Sequence, residues 1–281
     1  MFTEALRIHK TLDDEQKSFV REKKIEKNYK VKRWLEFFEK VAEMDMHSDA
    51  FRDKSFKYLF GLGVAGFLLF ILSNGFPPVF LLLAILSIVF SFLLWLFFQH
   101  KKIDLENHFR LTIIPLLSIL KEEIDNDTKL YVSVDCSDQM AKEKVVRVVE
   151  PESKTMPYFT ATYYKNPWFY IEGTMKDGTY ISMNFEDFIR KKDITKRGSR
   201  GKVKTKNKYK IVHKIKITMH FSKATYHSRG YHNKVQDMGD YFEYTGIEKV
   251  VSTDTEEQID LNFPLLGIAK GYNRFRRNEA A

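Results

Sequence analysis

Residues 58 to 98 of this chain carry no charged side chain, while charges are dense on both sides of the gap. About 40 uncharged, mostly apolar residues match two bilayer crossings at roughly 20 residues each. The sequence predicts a first crossing over 56–72 and a second over 79–98, joined by the turn Ser-Asn-Gly-Phe-Pro-Pro at 73–78. Asn and Gly tolerate positive φ, and Pro disfavours helix in the residue before it, so the two helices are expected as antiparallel neighbours. Arg52, Lys54 and Lys57 precede the first helix and Lys101 and Lys102 follow the second, whereas the turn is uncharged. Cations stay on the cytoplasmic side, which places both termini inside. The expectation is an integral membrane protein, of a bacterial inner membrane, held by a two-helix transmembrane hairpin over 56–99.

Within the first apolar helix, Gly61-Leu62-Gly63-Val64-Ala65-Gly66 fits the G-x-G-x-x-G pattern of dinucleotide sites. That chemistry needs a strand before the motif and an acidic ribose partner some way after it, and both are missing. Small residues in an apolar helix instead let another helix approach closely. Gly61 and Ala65 form a small-xxx-small pair, and Ala84, Ser87 and Ser91 share one face of the second helix. These five residues are the expected transmembrane packing surface. No ionisable group lies inside the apolar stretch, which argues against an ion relay.

Both flanks of the hairpin read as amphipathic helix. In 11–50, Ile25, Tyr29, Trp34, Leu35, Phe38, Val41 and Ala42 recur at spacings near three and four. In 100–127, Leu105, Phe109, Ile113, Leu116, Leu117, Leu120 and Ile124 do the same, with Pro115 placed to kink that helix or start a new one. The predicted order is therefore a cytoplasmic helical region over 1–55, the hairpin, a membrane-proximal helix over 100–127, and a β-rich domain over 128–281.

From Lys129 the pattern changes to period two. Candidate strands lie at 130–134, 145–149, 158–164, 168–175, 180–185, 202–221, 241–251 and 258–263, with a short helix near 186–190. Lys176-Asp177-Gly178-Thr179 is a hairpin turn, since Asp-Gly suits type I′ geometry. Many strands with little helix point to an antiparallel sandwich or barrel. The fold class expected is thus an α+β membrane protein with a C-terminal antiparallel β domain.

One strand is unusual. Lys202, Lys204, Lys206, Lys208, Lys210, Lys214 and Lys216 share one parity, while Tyr209, Ile211, His213, Ile215, Ile217, Met219 and Phe221 share the other. Side chains alternate across a strand, so one face is nearly all lysine and the other packs inward. Arg190, Lys191, Lys192, Lys196, Arg197 and Arg200 add to it, and Asp193 is the one acid between 190 and 216. Such a face is a solvated or charge-guarded sheet edge, a contact for anionic lipid headgroups, or a contact for nucleic acid or an acidic partner. Lysine in place of arginine favours diffuse charge attraction over base reading, and Tyr209 points the other way, so the single strand disfavours nucleic acid.

Catalytic chemistry is not visible. His213 and His220 differ by an odd number and point to opposite faces of their strand, leaving His213 as a core residue with a local hydrogen bond. His227 and His232, with Asp237 and Asp240, lack any recognised metal-ligand spacing. The one cysteine, Cys136, sits between Asp135 and Asp138, which disfavours thiolate. No metal, cofactor or catalytic residue is expected. The reading is a non-enzymatic, membrane-anchored scaffold that binds membrane lipids and a protein partner or further copies of itself. The alternative is a ligand-gated homo-oligomer whose β domain senses a small anion.

Overall fold

A computed structural model describes residues 2–72, 78–100, 105, 108–153, 155–198, 201–230, 233–254 and 259–278. The chain forms two compact units, Met1–Arg21 with Glu39–Leu105, and Glu22–Phe38 with Glu106–Ala281.

The first unit is helical, built from α1 (Phe2–Thr11), α2 (Asp14–Glu22), most of α3 (Val31–Leu72) and α4 (Pro78–His100). A reciprocal capping box starts α2: Asp13 Oδ1 accepts the Gln16 N–H at 2.7 Å, and Gln16 Oε1 accepts the Asp13 N–H at 3.0 Å. Ile8, Leu12, Phe19, Val41 and Met44 are buried. Asp45, also buried, accepts the Leu105 N–H at 3.0 Å.

The expected transmembrane hairpin, and the integral inner-membrane location that rested on it, do not stand. Among the described residues no helix is long and apolar enough to cross a membrane. Charges occupy α3 as far as Lys57, and its apolar remainder, 58–72, spans about 22 Å at a rise of 1.5 Å per residue. A hydrocarbon core of about 30 Å needs more. Both helices expose large apolar side chains, among them Phe60, Phe67, Leu82, Phe90 and Phe92. The turn at 73–77 and the lysines at 101 and 102 lie outside the described residues.

The second unit is an open antiparallel sheet in the order β1-β2-β4-β5-β6-β9-β8, with β3 also paired to β4. Its strands are β1 (Lys24–Lys30), β2 (Lys129–Asp135), β3 (Val145–Val149), β4 (Tyr158–Thr174), β5 (Tyr180–Arg197), β6 (Val203–Ser222), β8 (Val235–Asp237) and β9 (Tyr241–Ser252). The short β7 (Tyr226–Ser228) pairs with β10 (Phe275–Arg277). Among the described residues neither the sandwich nor the barrel expected forms. The edges β1 and β8 do not meet among these residues, and the inward face is covered by helices and, at Phe221, by the β7–β10 ribbon, whose Phe275 ring stacks on it at 4.1 Å. Trp34 at the start of α3 donates to the Leu130 carbonyl at 3.0 Å and stacks on Phe38, whose ring meets Phe109 edge-on. At the other end α6 (Asn262–Tyr272) lies close enough that a Cβ at Gly267 would come within 2.2 Å of Ile217.

Three local expectations change. The helix expected over 11–50 is broken by β1, which follows Lys23 at φ +60 and gains a seven-residue ladder with β2. The short helix near 186–190 is absent because β5 runs on to Arg197. Of the last expected strand, 258–263, residue 258 lies outside the described residues, 259–261 are not in a strand, and Asn262 and Phe263 begin α6. Pro115 does begin a helix, in the first turn of α5 (Ile114–Glu123), after a π-helical turn over Phe109–Ile113. Pro167 is accommodated by a bulge between Pro167 and Phe169 in β4.

Candidate anion-binding face

The basic surface is assembled by register. β5 and β6 pair continuously from Tyr180↔His220 to Arg197↔Val203, whereas β9 accompanies β6 only from Ile211 to Ser222. Over Val203 to Lys210, β6 therefore has β5 as its one described strand neighbour. Residues directly opposite in an antiparallel pair project from the same face. Lys204 faces Lys196, Lys206 faces Ile194, Lys208 faces Lys192, and Lys210 faces Arg190. Three of these four rungs set a cation against a cation.

Like charges opposite one another cost about 0.2–1 kcal/mol per pair. No acid occupies these rungs, and among the described residues Arg190, Lys192, Lys204, Lys206, Lys208 and Lys210 have no acidic partner. Glu186, on the same face of β5, is already taken, at 3.0 Å from Lys165 and 3.5 Å from Lys214. Partial burial raises its pKa, but those two lysines outweigh it and hold the carboxyl below its usual value. Asp193 lies on the other face, 3.8 Å from Lys191. Arg190, Lys192, Lys208 and Lys210 line a cleft of about 350 Å³ whose apolar wall is Ile194 and Val251.

The strands beyond β5 complete the face. Tyr163 stands opposite Arg190, and Arg147 of β3 stands opposite Tyr163, giving a row Arg147, Tyr163, Arg190, Lys210 across four strands. Phe159 faces Ile194, and the Lys192 ammonium lies 3.5 Å from its ring centre. Phe188, one rung from Arg190, lies beneath Lys165 and Lys214. Phe159, Tyr163 and Phe188 are 43%, 36% and 38% exposed.

Of the seven lysines expected to contact lipid or anion, Lys204, Lys206, Lys208 and Lys210 form the exposed cluster. Lys216 extends the same face, Lys214 is engaged with Glu186, and Lys202 lies just before the strand. Of the five expected packing residues, Ala84 is fully buried, the Ser87 hydroxyl donates to the Leu62 carbonyl of α3 at 3.1 Å, and the Ser91 hydroxyl is buried with no hydrogen-bond partner among the described residues. Gly66 meets Ser87, whereas Gly61 and Ala65 are exposed. Arg147, Phe159 and Tyr163 escape a reading made strand by strand, because only register brings them beside the lysines.

A second cluster occupies the inward face. Asn166, Asp187 and His213 form one rung across β4, β5 and β6, each at most 4% exposed. Asp187 Oδ1 and His213 Nδ1 are 2.7 Å apart. His108 stacks on Trp168 at 5.1 Å, with its ring centre 6.4 Å from that of His213. Both side-chain polar atoms of Asn166, Asp187 Oδ2, His213 Nε2, His108 Nδ1 and Trp168 Nε1 are buried with no hydrogen-bond partner among the described residues. Asp187 shares the parity of the buried Phe185 and Ile189, a signal hidden by the helix expected over 186–190.

Burial lowers the pKa of His108; the Asp187 charge raises it, and His213 lowers it further. The folded value thus lies below the unfolded value of about 6.5, and the unfolded chain binds this proton more readily. Stability tied to neutral His108 is complete above about pH 6.5 and is lost as pH falls through the folded value. Between pH 7 and pH 5, the urea midpoint of a His108→Gln variant should fall less than that of the wild type. Equal falls would contradict the assignment.

Two further histidines of the sheet unit have local partners. His220 lies between Tyr180 and Tyr241 and 3.3 Å from Glu243, and His227 bonds Asn278 at 2.9 Å; His232 is outside the described residues. Among the described residues no three His, Cys, Asp or Glu side chains are arranged to hold a metal ion. Cys136 is buried. Comparison with models of known protein families, with curated proteins and with solved structures finds no match in any of the three.

Proposed function

We propose that this chain is a non-enzymatic binding protein that holds a multiply anionic partner against the outer face of β4, β5 and β6. The observation that carries the reading is the facing of Arg190, Lys192 and Lys196 with Lys210, Lys208 and Lys204, without an acid on those rungs. A sheet edge can be guarded from aggregation by lysines along one strand. Cations placed opposite cations go beyond that need and raise the energy of the free protein. A polyanion removes the repulsion on binding, so part of its affinity comes from relief of strain already present.

A second reading, binding of a compact anion, is favoured by the cleft at Arg190, Lys192, Lys208 and Lys210. It uses the same cations and differs in partner size.

The test is retention of the full chain on immobilised heparin, with a non-ionic detergent covering the exposed apolar side chains of α3 and α4. The triple variant Lys204→Glu, Lys206→Glu, Lys208→Glu should elute at clearly lower salt than the wild type. A control triple at the exposed Lys10, Lys129 and Lys142 changes the net charge equally and should elute near the wild type. Identical elution of the two triples would mean that net charge alone, and not this face, binds the column.

A further inference from the structure

We infer that the anionic partner is a single-stranded nucleic acid, its backbone lying along β6 and its bases resting on Phe159 and Tyr163; this deepens the proposed function and rests on it. Three observations select this partner from other polyanions. The first is shape. Lys204 to Lys216 extends about 40 Å along β6 at 3.4 Å per residue. Strands twist along their length and adjacent strands rotate by roughly 20–25°. A planar lipid surface touches only part of such a row, whereas a flexible linear polyanion can follow it.

The second is width. The major groove of a duplex admits a two-stranded ribbon. Here β4 accompanies β5 to the Tyr158↔Thr195 pair and β3 flanks β4, so the basic end is three to four strands wide. An open strand makes no such demand.

The third is the aromatic rings. Phe159 and Tyr163 stand two rungs apart on the lysine face, each more than a third exposed. Proteins that bind single strands without sequence preference combine a cationic track with aromatic platforms on which bases stack. Lys192 now covers Phe159, and its ammonium can turn to a phosphate as a base takes its place. The cations are mostly lysines, point charges suited to phosphates rather than forks suited to base edges. Binding is therefore expected to be insensitive to base sequence.

The experiment uses the full chain in non-ionic detergent with a fluorescein-labelled oligothymidylate of about twenty nucleotides, read by anisotropy. Phe159→Leu with Tyr163→Leu keeps apolar bulk and removes the rings; it should weaken binding at least about tenfold, since stacking is worth roughly 1–3 kcal/mol per base. Inorganic polyphosphate of similar charge should compete poorly with the wild type and about equally well with the ring variant. Unchanged oligonucleotide affinity in the ring variant would overturn the inference. So would a clear preference for duplex, or for vesicles of anionic phospholipid. In each of those cases a loss of binding in the triple variant at Lys204, Lys206 and Lys208 would leave the proposed function standing. Failure to bind any of these polyanions would end both.

Discussion

Asp187→Ala is expected to destabilise the fold by about 3–5 kcal/mol, the cost of removing one partner of a buried charge-bearing pair. Asp187 is fully buried, and its carboxylate is the one described partner of His213 Nδ1. Truncation leaves a 4% exposed imidazole with neither ring nitrogen bonded, beside Asn166, whose amide is already unpartnered. Asp187→Asn keeps an oxygen for the imidazole and should cost distinctly less. Thermal or urea unfolding separates the two variants. Equal and small losses in both would mean that the row is hydrated in solution and contributes little.

Trp34→Ala should cost a comparable amount, about 3–5 kcal/mol for a large aromatic removed from a packed core. Its indole is fully buried, stacks on Phe38 at 5.1 Å and donates to the Leu130 carbonyl, so it ties the start of α3 to β2. Trp34→Phe retains most of the contact area and loses the hydrogen bond, and should fall between the wild type and the alanine variant. The readout is the urea midpoint of the β-sheet signal in circular dichroism. A Trp34→Ala midpoint equal to that of the wild type would place the packing of this unit elsewhere.

Period two was the most legible feature of the chain. Lys204, Lys206, Lys208 and Lys210 point outward and Ile211, His213, Ile215, Ile217, Met219 and Phe221 inward, as their parity requires. The Lys176–Thr179 turn was legible in place but not in type: Gly178 has φ +83 and Asp177 accepts the Thr179 N–H at 2.9 Å, whereas type I′ geometry also needs a positive φ at Asp177, which the chain does not adopt there. What could not be read is non-local. β1 resembles a helical stretch because Ile25 and Tyr29 are four apart; only pairing with β2, more than a hundred residues away, makes it a strand. The openness of the sheet is not legible for a related reason. Alternation predicts that one face is buried but not whether a helix or a second sheet covers it.

The charge-free stretch teaches a different point. Absence of charge over 58–98 is not sufficient for two membrane crossings: among the described residues no helix is long and apolar enough to cross a membrane. The candidate face was half legible. One strand supplied the lysines, but the opposing cations of β5 and the rings of β4 became neighbours only through register. That is also why nucleic acid was disfavoured from the single strand: Tyr209 points inward, and Phe159 and Tyr163 lie some fifty residues upstream.

The most direct test of the anion-binding face is the salt dependence of polyanion affinity. Titration of the full chain with inorganic polyphosphate, by calorimetry at several concentrations of monovalent salt, gives the slope of log K against log salt. With about six cations engaged, a slope near −4 is expected at roughly −0.7 per neutralised charge, and the Lys204, Lys206 and Lys208 reversal should flatten it by about 2. A slope near zero, or the same slope in both proteins, would show that the facing cations of β5 and β6 do not bind anions.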